Sequence, residues 1–99
     1  MASHITIRPG ESVFMDFTID TGTIPPGLFS EWYIRNKANT VIATDTLEKT
    51  EDETTFQMRI KSTDTGLGNG AYDLLVLIHD DDAGYADYIY DGVLVIINA

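Results

Sequence analysis

Apolar and polar residues alternate with a period of two along most of this chain, and a helical period is nearly absent. Ile5 and Ile7 alternate with polar neighbours and stop at Pro9-Gly10, which predicts a short first strand. Val13, Met15, Phe17 and Ile19 alternate with Ser12, Asp16 and Thr18, the pattern of a half-buried strand with one inner face. Proline and glycine make residues 21–27 a loop. A third strand is predicted from Phe29 to Arg35 with Trp32 and Ile34 inward, then a turn at residues 36–39 and a strand from Thr40 to Thr44. The run from Asp45 to Glu53 is charged and shows no apolar stripe, so it reads as a solvated loop or ragged edge. Phe56, Met58 and Ile60 alternate with Gln57, Arg59 and Lys61 in the clearest two-faced strand of all. After a glycine-rich stretch come a strand from Ala71 to His79, a turn at Asp80–Gly84, and a strand from Tyr85 to Tyr90. A bulge at Asp91-Gly92 and a closing strand from Val93 to Ile97 complete the pattern. Seven to nine short strands at steady spacing predict an all-β, antiparallel sandwich, one domain over residues 1–99.

The segment Leu67-Gly-Asn-Gly-Ala-Tyr72 refines that expectation. In immunoglobulin-like Greek-key sandwiches a tyrosine near the start of the sixth strand plugs the core with its ring and bonds its hydroxyl to backbone just upstream. The spacing of Leu67, Gly70 and Tyr72 assigns these three residues to such a corner, with Tyr72 bonded near Leu67 or Gly68. Trp32, Phe17, Phe56 and Met58 share the inward phase of three different strands and are the expected centre of the core.

The last third breaks the alternation. With Leu74, Val76 and Ile78 inward, Leu75 and Leu77 point out of the sheet. With Val93, Val95 and Ile97 inward, Leu94 and Ile96 face outward beside them. A sheet with one solvated face carries polar residues there. Leu75, Leu77, Leu94 and Ile96 are therefore the candidate protein interface, unless the charged loop or the first strand covers them. A strand running on to Ala99 would also present a bare edge.

Charge narrows the partners. Six Lys and Arg against sixteen Asp and Glu give a net charge of −10, and no basic residue follows Lys61. Nucleic acid demands a basic surface, so it is not an expected partner. No apolar run approaches the ~20 residues of a membrane helix, and residues 1–7 lack the features of a signal peptide. There is no cysteine for a disulfide or a thiolate metal site.

Chemistry-bearing residues are sparse. His4 and His79 are the only histidines, and none of Ser3, Ser12, Ser30 and Ser62 sits in a nucleophile elbow. His79 beside Asp80 is the one base–orienter pair in sequence, and it also reads as a plain strand-end residue. No catalytic residue, cofactor or metal ligand is assigned. Two binding alternatives stay open. Asp80, Asp81 and Asp82 with Gly84 and Asp87 offer oxygen ligands for calcium, though without EF-hand spacing. Trp32, Tyr33, Tyr85, Tyr88 and Tyr90 would make a sugar-stacking platform if several shared an exposed face.

Gly-Glu-Ser-Val-Phe-Met-Asp-Phe (10–17), Trp-Tyr-Ile-Arg-Asn-Lys (32–37), Phe-Gln-Met-Arg-Ile (56–60), the Gly-x-Tyr-Asp corner (70–73) and Asp-Gly-Val-Leu-Val-Ile-Ile (91–97) occur in that order. Together they resemble the small immunoglobulin-like β-sandwich domains of tailed-bacteriophage virions, including the N-terminal domain of upper-baseplate proteins. That resemblance covers nearly the whole chain. It implies a non-catalytic structural part made in the bacterial cytoplasm and built into the virion. A single domain fits a small adaptor or shell-decorating accessory, homo-oligomeric and packed on other virion proteins, rather than a receptor-binding fibre.

Overall fold

The computed structural model describes residues 3–20 and 22–97. Its eight strands are β1 (Ser3–Ile7), β2 (Val13–Thr18), β3 (Phe29–Arg35), β4 (Val41–Thr46), β5 (Glu48–Lys49), β6 (Thr55–Ile60), β7 (Gly70–Asp80) and β8 (Tyr85–Ile96). They form a five-stranded sheet in the order β1-β8-β7-β3-β4 and a three-stranded sheet in the order β2-β6-β5. Residues 22–28 connect the sheets without strand, as proline and glycine dictate, while Thr21 lies outside the described residues.

The sheets pack face to face because each strand sends its alternate apolar residues to one side. Trp32 and Ile34 of β3, Leu74 and Val76 of β7, and Leu94 and Ile96 of β8 meet Val13, Phe56, Met58 and Ile60 from the opposite sheet. Trp32 is 1% exposed and Met58 is wholly buried, with Phe17 packed against them at the rim. The expected centre of the core, Trp32 with Phe56 and Met58 and with Phe17 at its rim, is the one that forms.

Three features depart from the sequence expectation. The charged run is structured: β4 continues to Thr46, β5 follows, and Leu47 between them is a core residue whose N–H donates to the Ser30 carbonyl at 2.9 Å. One leucine among polar residues has no period to reveal it. Second, β1 pairs in parallel with β8, matching Ser3 to Gly92 and Ile7 to Ile96, so the five-stranded sheet is mixed. The closing strand is thus covered over residues 92–96 rather than bare, and Ala99 lies outside the described residues.

The third departure is the phase of β8. The strand passes through Asp91-Gly92 without interruption. Its register against β7 slips instead where Val76 faces Tyr90 and Leu77 faces Tyr88, leaving Ile89 as the extra residue of a bulge. From Tyr90 onward, the residues opposite the core positions of β7 are Tyr90, Gly92, Leu94 and Ile96. Directly opposed residues share a sheet face. Leu94 and Ile96 consequently point inward and are 0% and 1% exposed. Their assignment to an outer interface is corrected: both are core residues, and Val93 and Val95 take the outer face, half-buried.

The corner before β7 has the predicted bond. The Tyr72 hydroxyl donates to the Gly68 carbonyl at 2.8 Å, Leu67 packs on the core, and Gly70 takes a φ of 147° that a side chain would strain. Thr65, fully buried, ties the same loop down by donating its hydroxyl to the carbonyls of Glu11 and Ser62. Tyr72 is only half-buried and its hydroxyl bond lies at the surface, so Tyr72→Phe is expected to cost about 0.5–1.5 kcal/mol. An unchanged midpoint in urea would show that the hydroxyl does not pin the corner.

Candidate functional site

Register between β3 and β7 builds the outer face of the larger sheet. Arg35 lies opposite Asp73, Tyr33 opposite Leu75, Glu31 opposite Leu77 and Phe29 opposite His79. These positions alternate with Trp32 and Ile34, so all of them turn away from the core. β8 adds Tyr88 opposite Leu77, and β4 adds Val41 opposite Arg35. Tyr33, Arg35, Val41, Leu75, Leu77 and Tyr88 line a shallow groove of about 200 Å³. Leu75 is its floor at 5% exposed, whereas Val41 and Tyr88 stand out at 45% and 57%.

Both ends of this apolar strip carry charge. At one end Arg35 pairs with Asp73 at 3.7 Å. At the other, the Tyr33 hydroxyl donates to Glu31 Oε2 at 2.7 Å. Glu31 Oε1 then meets His79 Nε2 at 2.8 Å, and His79 Nδ1 meets Asp81 Oδ1 at 3.1 Å. The hydrogen bond to Glu31, reinforced by burial, pushes the Tyr33 phenol up to about 12. The same carboxylate, helped by Asp81, raises His79 above its ordinary 6.5, since an imidazolium satisfies both acceptors at once. Phe29 lies beyond, its ring 6.1 Å from His79 and 5.0 Å beneath Lys49 Nζ.

A raised histidine pKa has a defined consequence. The stabilisation from this network is fully present below the unfolded value of about 6.5 and is lost as pH rises through the folded pKa. In a proton-NMR titration His79 is expected to titrate above the ordinary imidazole value of about 6.5, and Glu31→Gln is expected to bring it down. A His79 midpoint unmoved by Glu31→Gln would rule out the carboxylate as the cause.

The structure divides the residues singled out from sequence. Leu75 and Leu77 lie together on the outer face; Leu94 and Ile96 do not join them. Tyr33, Tyr88 and Val41 complete the patch, and their outward phase on β3, β8 and β4 is the signal that could have found them. The five aromatics of the sugar platform do not share a face: Trp32 is in the core, and Tyr90 turns inward with its ring edge-on to Phe17 at 6.3 Å. His79 finds Glu31 and Asp81 rather than Asp80, whose carboxylate accepts the Ala83 N–H at 3.1 Å inside the turn. Among the described residues, no three His, Asp or Glu side chains are placed to hold a metal ion together. Of the serines, Ser30 is buried and donates its hydroxyl to the Leu77 carbonyl at 3.0 Å.

Compared with known proteins, the chain matches no family model and no curated protein.

Proposed function

We propose that this chain is a non-catalytic structural component of a bacteriophage virion. In this reading it is a small tail or baseplate adaptor or a capsid-decorating subunit that packs its five-stranded sheet against other virion proteins. The observation that carries the packing role is the apolar strip of Tyr33, Val41, Leu75, Leu77 and Tyr88 on a face that a lone sheet would fill with polar residues. Full burial of a large apolar side chain contributes roughly 1.5–3 kcal/mol, so Val41, Leu77 and Tyr88 together outweigh a modest association cost. The charged groups at both ends supply a polar rim around a dry centre, the usual anatomy of a specific interface. An excess of acid in the last third selects a basic neighbour and discourages random self-association.

The virion setting rests on the ordered strand motifs described above. The sheet orders support an immunoglobulin-like Greek key: β2, β6 and β5 take the places of strands B, E and D, and β8, β7, β3 and β4 those of G, F, C and C′. Assembly as a homo-oligomer on other virion proteins belongs to the same proposal.

The test replaces Leu77 by Lys and Tyr88 by Ser together, two opposed residues outside the core. The double variant is expected to melt cooperatively near the parent yet fail to enter assembled particles, read by immunoblot of purified virions. Normal incorporation would place the interface elsewhere, and unfolding would mean the strip is needed by the domain itself.

A further inference from the structure

One flank of the sandwich is open. Among the described residues β2 pairs only with β6, so its second edge is free. β1 covers β8 from Gly92 to Ile96, and among the described residues no strand pairs with this edge of β8 from Tyr85 to Asp91. The Phe17–Tyr90 ring contact stacks β2 over β8, so both free edges lie on the same flank. Between them runs an apolar groove of about 390 Å³ walled by Phe17, Ile19, Leu28, Ile78 and Ile89.

Backbone polarity at this flank follows from one hydrogen bond. The Ile19 N–H donates to the Thr54 carbonyl at 3.0 Å, in line with the register that sets Phe17 opposite Phe56 and Thr18 opposite Thr55. Bonded and non-bonded pairs alternate along an antiparallel ladder. Phe17 and Ile19 therefore direct their backbone groups to β6, while Asp16 and Thr18 direct theirs at the free edge. Their side chains alternate in the same sense: Phe17 and Ile19 pack inward, Asp16 and Thr18 are exposed. A free edge beside an apolar trough is a template for one more strand.

We propose that this groove is a strand-addition site for an extended segment of a partner protein in which apolar residues alternate with basic ones. Its apolar side chains enter the trough, its backbone pairs with the edge of β2, and its basic side chains face outward. Exposed Asp20, next to inward Ile19, and the net charge of −10 give that outward row its charge complement; Asp16 is already held by Arg59 at 2.8 Å. A second copy is the wrong occupant, since each copy carries −10 and has no basic residue after Lys61. The six residues of β2 span about 20 Å, so six to eight partner residues match the edge. This site is separate from the outer-face strip and stands without it.

Fluorescence anisotropy with a labelled eight-residue peptide alternating Val and Lys tests the proposal. Saturable binding is expected, at least tenfold tighter than that of a peptide with the same residues in two blocks or of an alternating Val–Glu peptide. Thr18→Pro removes an amide aimed at the free edge without touching the β6 ladder, and Ile89→Lys fills the trough with charge. Each is expected to weaken the Val–Lys peptide at least tenfold with melting little changed, while Leu77→Lys/Tyr88→Ser binds it normally. Should Thr18→Pro fail to fold, Ile89→Lys carries the test. Equal binding of the block peptide, absence of saturation, or a dimer seen by light scattering that either groove variant dissociates would each overturn the proposal.

Discussion

Trp32→Ala is expected to destabilise the domain by about 3–5 kcal/mol, the range found when a fully buried large aromatic leaves a cavity. Domains of this size have total stabilities of only about 5–15 kcal/mol, so the variant stands near the limit of folding at 37 °C. Its melting temperature should fall by more than about 10 °C. The site has little capacity to collapse, because Trp32 is the largest buried side chain and lies among Ile34, Leu74, Val76 and Met58 in one cluster. Its indole N–H is buried with no hydrogen-bond partner among the described residues, so the loss on truncation is volume rather than polarity. Trp32→Phe, which retains part of the ring and removes the unpaired donor, should cost clearly less. Differential scanning calorimetry of the two variants separates these contributions, and near-parental melting of Trp32→Ala would contradict its central place.

Leu94→Ala is expected to cost about 2–5 kcal/mol, because its side chain is wholly buried opposite Tyr72 in the packed face of β8. The informative comparison is Leu77→Ala on the outer face, where a half-buried residue outside the core should cost about 1 kcal/mol or less. Equilibrium urea denaturation of both variants measures the difference directly. Comparable losses at the two positions would mean that the faces of β7 and β8 are not distinguished as described. The pair also separates stability from assembly: Leu94 is needed to fold, whereas Leu77 is available to a partner.

The sequence by itself determined those elements whose signal is local. Where one sheet face meets water, period-two alternation marks both the strand and its inner side, which is why β2, β3 and β6 and the residues Trp32, Phe56, Met58 and Ile60 were legible in advance. The corner was legible for a similar reason, since Leu67, Gly70 and Tyr72 act within six residues of one another. Tertiary structure alone decided whatever depends on which strand lies beside which. In Val93-Leu-Val-Ile-Ile97 both faces are apolar, so no polar residue marks the outside; the bulge at Ile89 and the register with β7 choose Leu94 and Ile96 for the core. Leu47 is isolated among polar residues and joins the core through tertiary packing, at a point where its N–H donates to the Ser30 carbonyl across the chain. Half of the candidate interface, Leu75 and Leu77, could be read from β7, but Tyr33, Tyr88 and Val41 reach it through cross-strand pairing. Glu31 and His79 are 48 residues apart, and no spacing rule joins them. The free edges of β2 and β8 are likewise a property of the sheet order, because an edge exists only relative to neighbours that the linear chain does not name.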